Sequence, residues 1–342
     1  MITIYSDEHR LHAPKMELLD GVLQTIFERP ERAQRILDAV VSSGLGEVRA
    51  PAPCAVDPIL RVHDAGLVQF LRDGWNLWKD RIGTHDALPF ASCPRGVTAR
   101  EPESINGKLA FYTYDAVTPL TEGTWTAALA AVSVALSGLD LIQRGERAAF
   151  SLCRPPGHHS MRGQYGGYGL LNNAAMAAQA AVDAGAGRVA VLDVDVHHGN
   201  GTQDIFYDRN DVLYVSIHSD PRFGYPFFMG HADERGAGRG ENFNVNMPLP
   251  PGTAWDTYQP ALSQAIERVR TFSPDMLVIS LGVDTAERDP SSTFRLNKPD
   301  YVRMGAAIAT LKRPTLFVME GGYEMEAIGR NTVSVLRGFE GI

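Results

Sequence analysis

Arg188-Val-Ala-Val-Leu-Asp193-Val-Asp195-Val-His197-His-Gly-Asn200-Gly-Thr202 is the stretch on which the reading of this chain turns. Its first half, Arg188–Asp193, is a short, β-branched apolar run of the kind that forms a strand buried on both faces. Its second half becomes polar while keeping an alternating pattern. In an extended chain, residues two apart project to the same side. Asp193, Asp195 and His197 therefore point together, and Val194 and Val196 pack behind them. A carboxylate and an imidazole side by side, completed by a third ligand from another strand end, meet the requirements of an open divalent-metal site. A single Asp or His is ordinarily a satisfied cap or core residue. A bracketed D-x-D-x-H-H-G at a strand end is not, because buried charges are costly without partners.

Similar apolar runs recur on either side: Met1–Tyr5, Ala148–Leu152, Val212–His218, Met276–Leu281 and Thr315–Met319. Between them lie segments rich in Ala, Leu, Met and Gln that read as helices: Thr124–Arg144, Asn173–Ala184, Trp255–Phe272, Pro299–Leu311 and Glu326–Arg337. Strands and helices in alternation, with continuous apolar strands, predict one α/β domain over residues 1–342. Its sheet is expected to be multi-stranded and mostly parallel, with helices on both faces. In such sheets ligands gather outside the carboxyl ends of the strands. Polar groups crowd just after four of these runs: Cys153-Arg-Pro-Pro-Gly-His158-His159, the Asp195–Thr202 segment, Gly282-Val-Asp284, and Glu320-Gly-Gly-Tyr323.

Asp284 is the natural third ligand, since it ends a hydrophobic strand where an unpaired acid is expensive. Three protein ligands leave a position for water, which a bound metal acidifies. Zn2+ suits two carboxylates and one imidazole, with Fe2+, Co2+ or Mn2+ in competition. His158 and His159 follow Pro-Pro-Gly, a turn of fixed direction, and can supply the base and acid that amide hydrolysis requires. Which acts first is open. Asp193 and Asn200 are placed to orient their far nitrogens. Gly321 and Gly322 permit a sharp turn from which Tyr323 can aim its hydroxyl at a developing oxyanion.

The segment from about Arg72 to Glu122 shows no clear period and carries Trp75, Trp78, Pro89, Pro94, Pro102, Tyr112, Tyr114 and Pro119. Long irregular insertions in compact domains are usually functional loops. The 342 residues have 44% hydrophobic and 21% charged content and a net charge of −8. That composition is globular and argues against nucleic acid as a partner. No apolar run suggests a membrane span. The opening Met1-Ile-Thr-Ile-Tyr-Ser has neither a basic n-region nor an apolar h-region. The three cysteines, Cys54, Cys93 and Cys153, lack CxxC spacing, so a reducing cytoplasm is expected.

Together Arg154-Pro-Pro-Gly-His-His159, Asn172-Asn173, Asp193–Thr202, Gly282-Val-Asp284 and Glu320-Gly-Gly-Tyr323 resemble the arginase-like deacetylase fold. More specifically, they resemble the histone deacetylase and acetylpolyamine amidohydrolase superfamily, over nearly the whole chain and in the family's order. The resemblance implies zinc held by Asp195, His197 and Asp284, paired acid/base roles for His158 and His159, and a carbonyl-polarising Tyr323. It also implies a structural K+ at Asp193, Asp195, His197, Ser216 and Ile217, and a second cation around Phe206, Arg209 and Val212. The opening Ile-Tyr-Ser-Asp-Glu-His9 and the insertion before Gly123-Thr-Trp125 are similar to the acetylpolyamine amidohydrolase branch. There the insertion supports a homodimer and narrows a channel, here expected to be lined by Tyr168 and Phe228. Asn106 and Val117 stand where some polyamine-specific relatives carry acids, which leaves short acylated diamines open. Gly169 replaces a common cysteine, an exchange expected to enlarge the pocket floor.

The leading expectation is a deacetylase acting on small N-acylated di- or polyamines. A protein lysine deacetylase would use the same chemistry. A non-catalytic acyl-amine binder keeping the fold is a different class, disfavoured because every catalytic position is filled. A ureohydrolase needs more carboxylates around its two metals.

Overall fold

In the computed structural model, which describes residues 1–93 and 99–342, eight strands form one sheet in which every pairing is parallel. They are β1 (Ile2–Ile4), β4 (Val48–Arg49), β5 (Ala148–Ser151), β6 (Val189–Asp193), β7 (Val212–Ser219), β8 (Asn244–Leu249), β9 (Met276–Leu281) and β10 (Thr315–Met319). The spatial order is β4-β1-β5-β10-β9-β6-β7-β8. Two further strands, β2 (Met16–Leu19) and β3 (Val22–Thr25), make a separate antiparallel hairpin.

The interior strands are buried on both faces, and their alternation divides the core in two. Ala149, Val189, Val191, Val278, Leu316 and Val318 face one side. There they meet α2 (Asp57–Leu60), α3 (Ala65–Arg81), α4 (Ile105–Tyr112), α5 (Thr124–Gln143), α6 (Asn173–Asp183) and α7 (Asn200–Phe206). Phe150, Ala190, Leu192, Ile279, Phe317 and Met319 face the other side. That side is covered by α1 (Glu31–Ser43), α8 (Trp255–Phe272), α9 (Lys298–Ala309) and α10 (Ile328–Glu340). This is the period-two pattern of strands sandwiched between helices.

Three expectations need correction. First, the region from Arg72 to Glu122 is not continuously irregular. Its first part completes α3, whose Leu67, Leu71, Trp75 and Trp78 recur at helical spacing and are buried, and α4 follows. Pro94 lies outside the described residues. Second, α5 spans 20 residues with a mean hydropathy of 1.7, long and apolar enough to cross a membrane. Here 61% of it is buried within the fold, against β5 and α6, so its apolarity is that of a core helix. Third, edge strand β8 has no uniform apolar run; it reads Asn244-Val-Asn-Met-Pro-Leu249, and Pro248 is tolerated because the strand is at an edge.

Candidate metal and catalytic site

The four neighbouring strands β5, β10, β9 and β6 end on the same edge, and each delivers one polar loop. Asp195 and His197 follow β6, and Asp284 follows β9. Their ligand atoms lie within 4.8 Å of one another. Asp195 and Asp284 are fully buried, and His197 is 14% exposed. His197 Nδ1 stands 3.0 Å from Asp195 Oδ1 and 3.3 Å from Asp284 Oδ2.

The remaining carboxylate atoms are held by backbone. Asp195 Oδ1 accepts from His197 N at 2.9 Å and Oδ2 from Gly321 N at 2.8 Å. Asp284 Oδ1 accepts from Val196 N at 3.0 Å, whereas its buried Oδ2 has no hydrogen-bond partner. Burial and the charge of Asp195 push the Asp284 carboxyl above the usual carboxylate range. An orphaned buried oxygen in a pair of crowded carboxylates is relieved by a divalent cation, so the three side chains fit one. The backbone makes room for them: a Cβ at Gly321 would stand 2.0 Å from Asp284 Oδ2, and one at Gly282 would stand 2.1 Å from Asp195 Oδ2.

His158 and His159 follow β5. Glu320 fixes their loop by accepting from Gly157 N at 2.7 Å and His158 N at 3.1 Å. Their far nitrogens have different partners. His158 Nδ1 meets Asp193 Oδ2 at 2.9 Å, and Tyr214 also donates to that oxygen. Burial opposes charge on His158, but Asp193 and Asp195 outweigh it and raise the ring to about 10. His159 Nδ1 meets the neutral Asn200 Oδ1 at 2.7 Å. Burial and the neighbouring His158 and His197 hold His159 well below its usual value. The two imidazoles are thus pushed in opposite directions, His158 towards its charged form and His159 towards its neutral form.

Tyr323 enters from the turn after β10. Its N–H donates to Asp289 Oδ2 at 2.6 Å, and Arg32 lies 4.5 Å from its ring centroid. Tyr323, His159 and His197 line a cavity of about 230 Å³ together with Tyr168, Phe27, Phe223 and Tyr225. Tyr168 has φ of 64°, unusual for a residue with a side chain. Its hydroxyl donates to Glu17 at 2.5 Å and its N–H to Thr118 Oγ1 at 2.8 Å. Asp115 supports this wall from the insertion, accepting from Gly167 N at 2.6 Å and Tyr225 OH at 2.7 Å.

Phe228 does not line this cavity. It is 69% exposed and belongs to an adjoining groove; Phe27, Phe223 and Tyr225 supply the aromatic walls in its place. Val117 lines the cavity and Asn106 does not. Gly169 does not enlarge a pocket floor, because a Cβ there would meet Gly157 Cα at 3.3 Å; the space is taken by two backbones in close approach. Asp193 and Ser216 are register partners on β6 and β7, and Ser216 Oγ pairs with His218 Nδ1 at 2.8 Å. Phe206 and Val212 flank the turn that carries Arg209, whose N–H donates to Phe206 O. Glu28, Arg32, Phe27, Tyr225 and Asp289 are not marked by the sequence, and Asp115, one of several acids in the insertion, is not distinguished there from Glu101 and Glu103. Tyr225, three residues before Phe228 in Tyr-Pro-Phe-Phe, is the one that an aromatic cluster could have indicated.

A doubly wound parallel sheet with two acids and a histidine at its carboxyl edge, paired histidines and a tyrosine defines the histone deacetylase class. The histone deacetylase domain family matches residues 26–339, and the chain belongs to that family. It is 54% identical over 342 residues to acetylpolyamine amidohydrolase 2 of Pseudomonas aeruginosa, covering 100% of this chain and 99% of that protein. It is 46% identical over 341 residues to the acetylpolyamine amidohydrolase of Mycoplana ramosa, with 100% of each chain covered. The crystal structure of acetylpolyamine aminohydrolase from Burkholderia pseudomallei superposes with a TM-score of 0.94 at 39% identity, covering 99% of this chain and 98% of that one.

Proposed function

We propose that this chain is a metal-dependent amidohydrolase that removes acetyl or related acyl groups from N-acylated diamines and polyamines, residues 1–342 forming one deacetylase unit. The observation that carries the reading is the convergence of Asp195, His197 and Asp284 with His159 and Tyr323 at the base of one aromatic-walled cavity. The full-length similarity to acetylpolyamine amidohydrolases supports the amine class.

A divalent cation held by Asp195, His197 and Asp284 supplies a Lewis acid for the acyl oxygen and lowers the pKa of water. Two carboxylates and an imidazole favour Zn2+, with Fe2+ or Co2+ as alternatives. His159, with Nδ1–H turned to Asn200 Oδ1, presents Nε2 as the proton acceptor when water attacks. It then returns that proton to the departing amine nitrogen. His158, tethered to Asp193, keeps a positive charge beside the reacting centre. Tyr323 donates its hydroxyl to the acyl oxygen as negative charge develops there. Tyr168, Phe27 and Tyr225 enclose the acyl-amine arm and exclude water.

We also assign a structural K+ to Asp193, Asp195, His197, Ser216 and Ile217, a reading supported by the pairing of Asp193 with Ser216 across β6 and β7. A second monovalent cation is assigned to the turn of Phe206, Arg209 and Val212. We further propose a homodimer located in the cytoplasm; the exposed aromatics Phe223, Phe227 and Phe228, which line the cavity or its adjoining groove, are in keeping with the dimer. The deciding experiment is turnover by metal-analysed enzyme on acetylputrescine, acetylcadaverine, acetylspermidine, longer acyl homologues and acetyl-lysine peptides. Acetylated diamines or polyamines should be hydrolysed fastest. Much faster cleavage of the peptides would reassign the substrate to protein, and metal-loaded enzyme inert towards every acylamine would overturn the reading.

A further inference from the structure

We propose that Glu28 is a positioning residue that locks the two catalytic loops to each other, an inference that rests on the amidohydrolase reading and adds a residue outside the cavity to it. Glu28 lies just before α1 and is fully buried. It touches none of the reacting groups. Instead it stands between two buried guanidinium groups, each of which holds one loop.

Arg154, at the root of the His158–His159 loop, donates to Glu28 from Nε at 2.8 Å and from a terminal nitrogen at 2.9 Å. It also donates to the carbonyls of His9 at 2.6 Å and His12 at 2.9 Å and approaches His9 Nδ1 at 3.4 Å. Arg32 meets the same carboxylate at 2.7 Å. Its remaining nitrogens reach Gly322 O at 2.5 Å and Glu320 O at 2.6 Å, which are the backbone of the turn that presents Tyr323. The guanidinium also lies over the Tyr323 ring. One carboxylate therefore connects the loop of the acid/base histidines to the loop of the carbonyl-polarising tyrosine.

Neighbouring histidines do not substitute for it. Burial and Arg154 keep His9 and His12 neutral, at about 4 and about 3. Glu28 is then the only carboxylate paired with either guanidinium among the described residues. Without its charge, two buried cations repel and each loop can shift independently. Transition-state geometry is sensitive to such shifts, whereas Phe27, Tyr168 and Tyr225 would still bind the substrate arm.

The test compares wild type, Glu28→Gln and Glu28→Asp on acetylputrescine, recording kcat, KM, bound metal and melting temperature. Phe339→Leu, a core substitution on α10 remote from both catalytic loops, serves as the control for a loss of thermal stability alone. Glu28→Gln should lose tenfold or more in kcat with KM and metal content near wild type, while Phe339→Leu keeps its kcat. Glu28→Asp should recover part of the loss. Equal loss of kcat in Glu28→Gln and Phe339→Leu, or a loss confined to KM or to metal content, overturns the proposal. Should Glu28→Gln fail to fold, Arg154→Lys carries the same comparison; it retains the charge but gives up the two-pronged contact, and wild-type kcat in it likewise overturns the proposal. A wild type inert on every acylamine would refute the amidohydrolase reading instead, and that result is distinct from these.

Discussion

Two adjacent imidazoles of the same chemistry are set in opposite environments here by one atom each. His158 faces a carboxylate and His159 faces an amide oxygen, at 2.9 and 2.7 Å. A base needs a free, unprotonated lone pair, and in the proposed mechanism the amide-paired ring supplies it. His159→Ala should lower kcat by about 10²–10⁴-fold without lowering bound metal, as measured by steady-state kinetics and metal analysis on the same preparation. Near-normal turnover would remove His159 from the mechanism. Tyr323→Phe removes one oxyanion donor and should cost about 10²–10³-fold in kcat. A third histidine makes a stability prediction. His63 Nδ1 donates to Met161 O at 2.8 Å, while its Nε2 accepts from Asn172 N at 2.9 Å. The acceptor has no room for a proton, and burial lowers the ring to about 4. Above pH 6.5 neither folded nor unfolded His63 is charged, so no penalty applies. Between 6.5 and 4 the unfolded chain takes up a proton that the fold refuses, and stability falls by up to the order of 3 kcal/mol. Denaturant titrations over this window should give His63→Gln a slope against pH shallower than wild type by about one proton. An unchanged slope would show that His63 is not responsible.

At the scale of elements, strand ends carry the chemistry, and strand ends were what the sequence made readable. The Asp193–His197 alternation continues an extended strand, so three polar side chains were bound to share a side, and Asp284 was marked by ending an apolar strand. Residues that act through long-range contact left no such mark. Glu28 meets Arg154 across 126 positions, and Asp289 meets the Tyr323 N–H across 34; neither pairing has a local period. The aromatic walls failed for a related reason. Phe228 and Tyr225 lie in one short run, and only tertiary packing decides that Tyr225 faces His159 at 5.0 Å between ring centroids while Phe228 faces outward. Helix α3 was missed because its apolar stripe begins at Leu67, ahead of the tryptophans that suggested an irregular insertion. The turn after β10 offers a test at this scale. A methyl at Gly321 has no space between the Asp284 and Asp195 carboxylates. Gly321→Ala should therefore lose metal affinity by tenfold or more in a chelator competition, along with thermal stability. Wild-type affinity would mean that the turn yields more readily than its contacts indicate.

For the whole molecule, the metal site is a charge problem that folding leaves unsolved. Asp195 and Asp284 are buried within one cluster of ligand atoms, and Asp284 Oδ2 has no hydrogen-bond partner. Like charges at this separation, removed from water, oppose the native state. The strands they follow, β6 and β9, are neighbours in the interior of the sheet, so the strain acts on the middle of the fold. A bound divalent cation removes it and adds binding energy that exists only in the folded state. The fold should consequently depend on metal for stability as well as for turnover. Dialysis against a chelator at pH 7.5 should abolish hydrolysis and lower the melting temperature, and Zn2+ should restore both. At a free concentration a hundredfold above Kd, the stabilisation is about 2.7 kcal/mol. The sign reverses in a designed control. In Asp284→Asn the repulsion is already gone, so the metal-free variant should melt above metal-free wild type, yet gain little on adding Zn2+. If removing metal leaves the melting temperature unchanged in wild type, the buried carboxylates are accommodated by protonation alone, as the raised Asp284 carboxyl would permit.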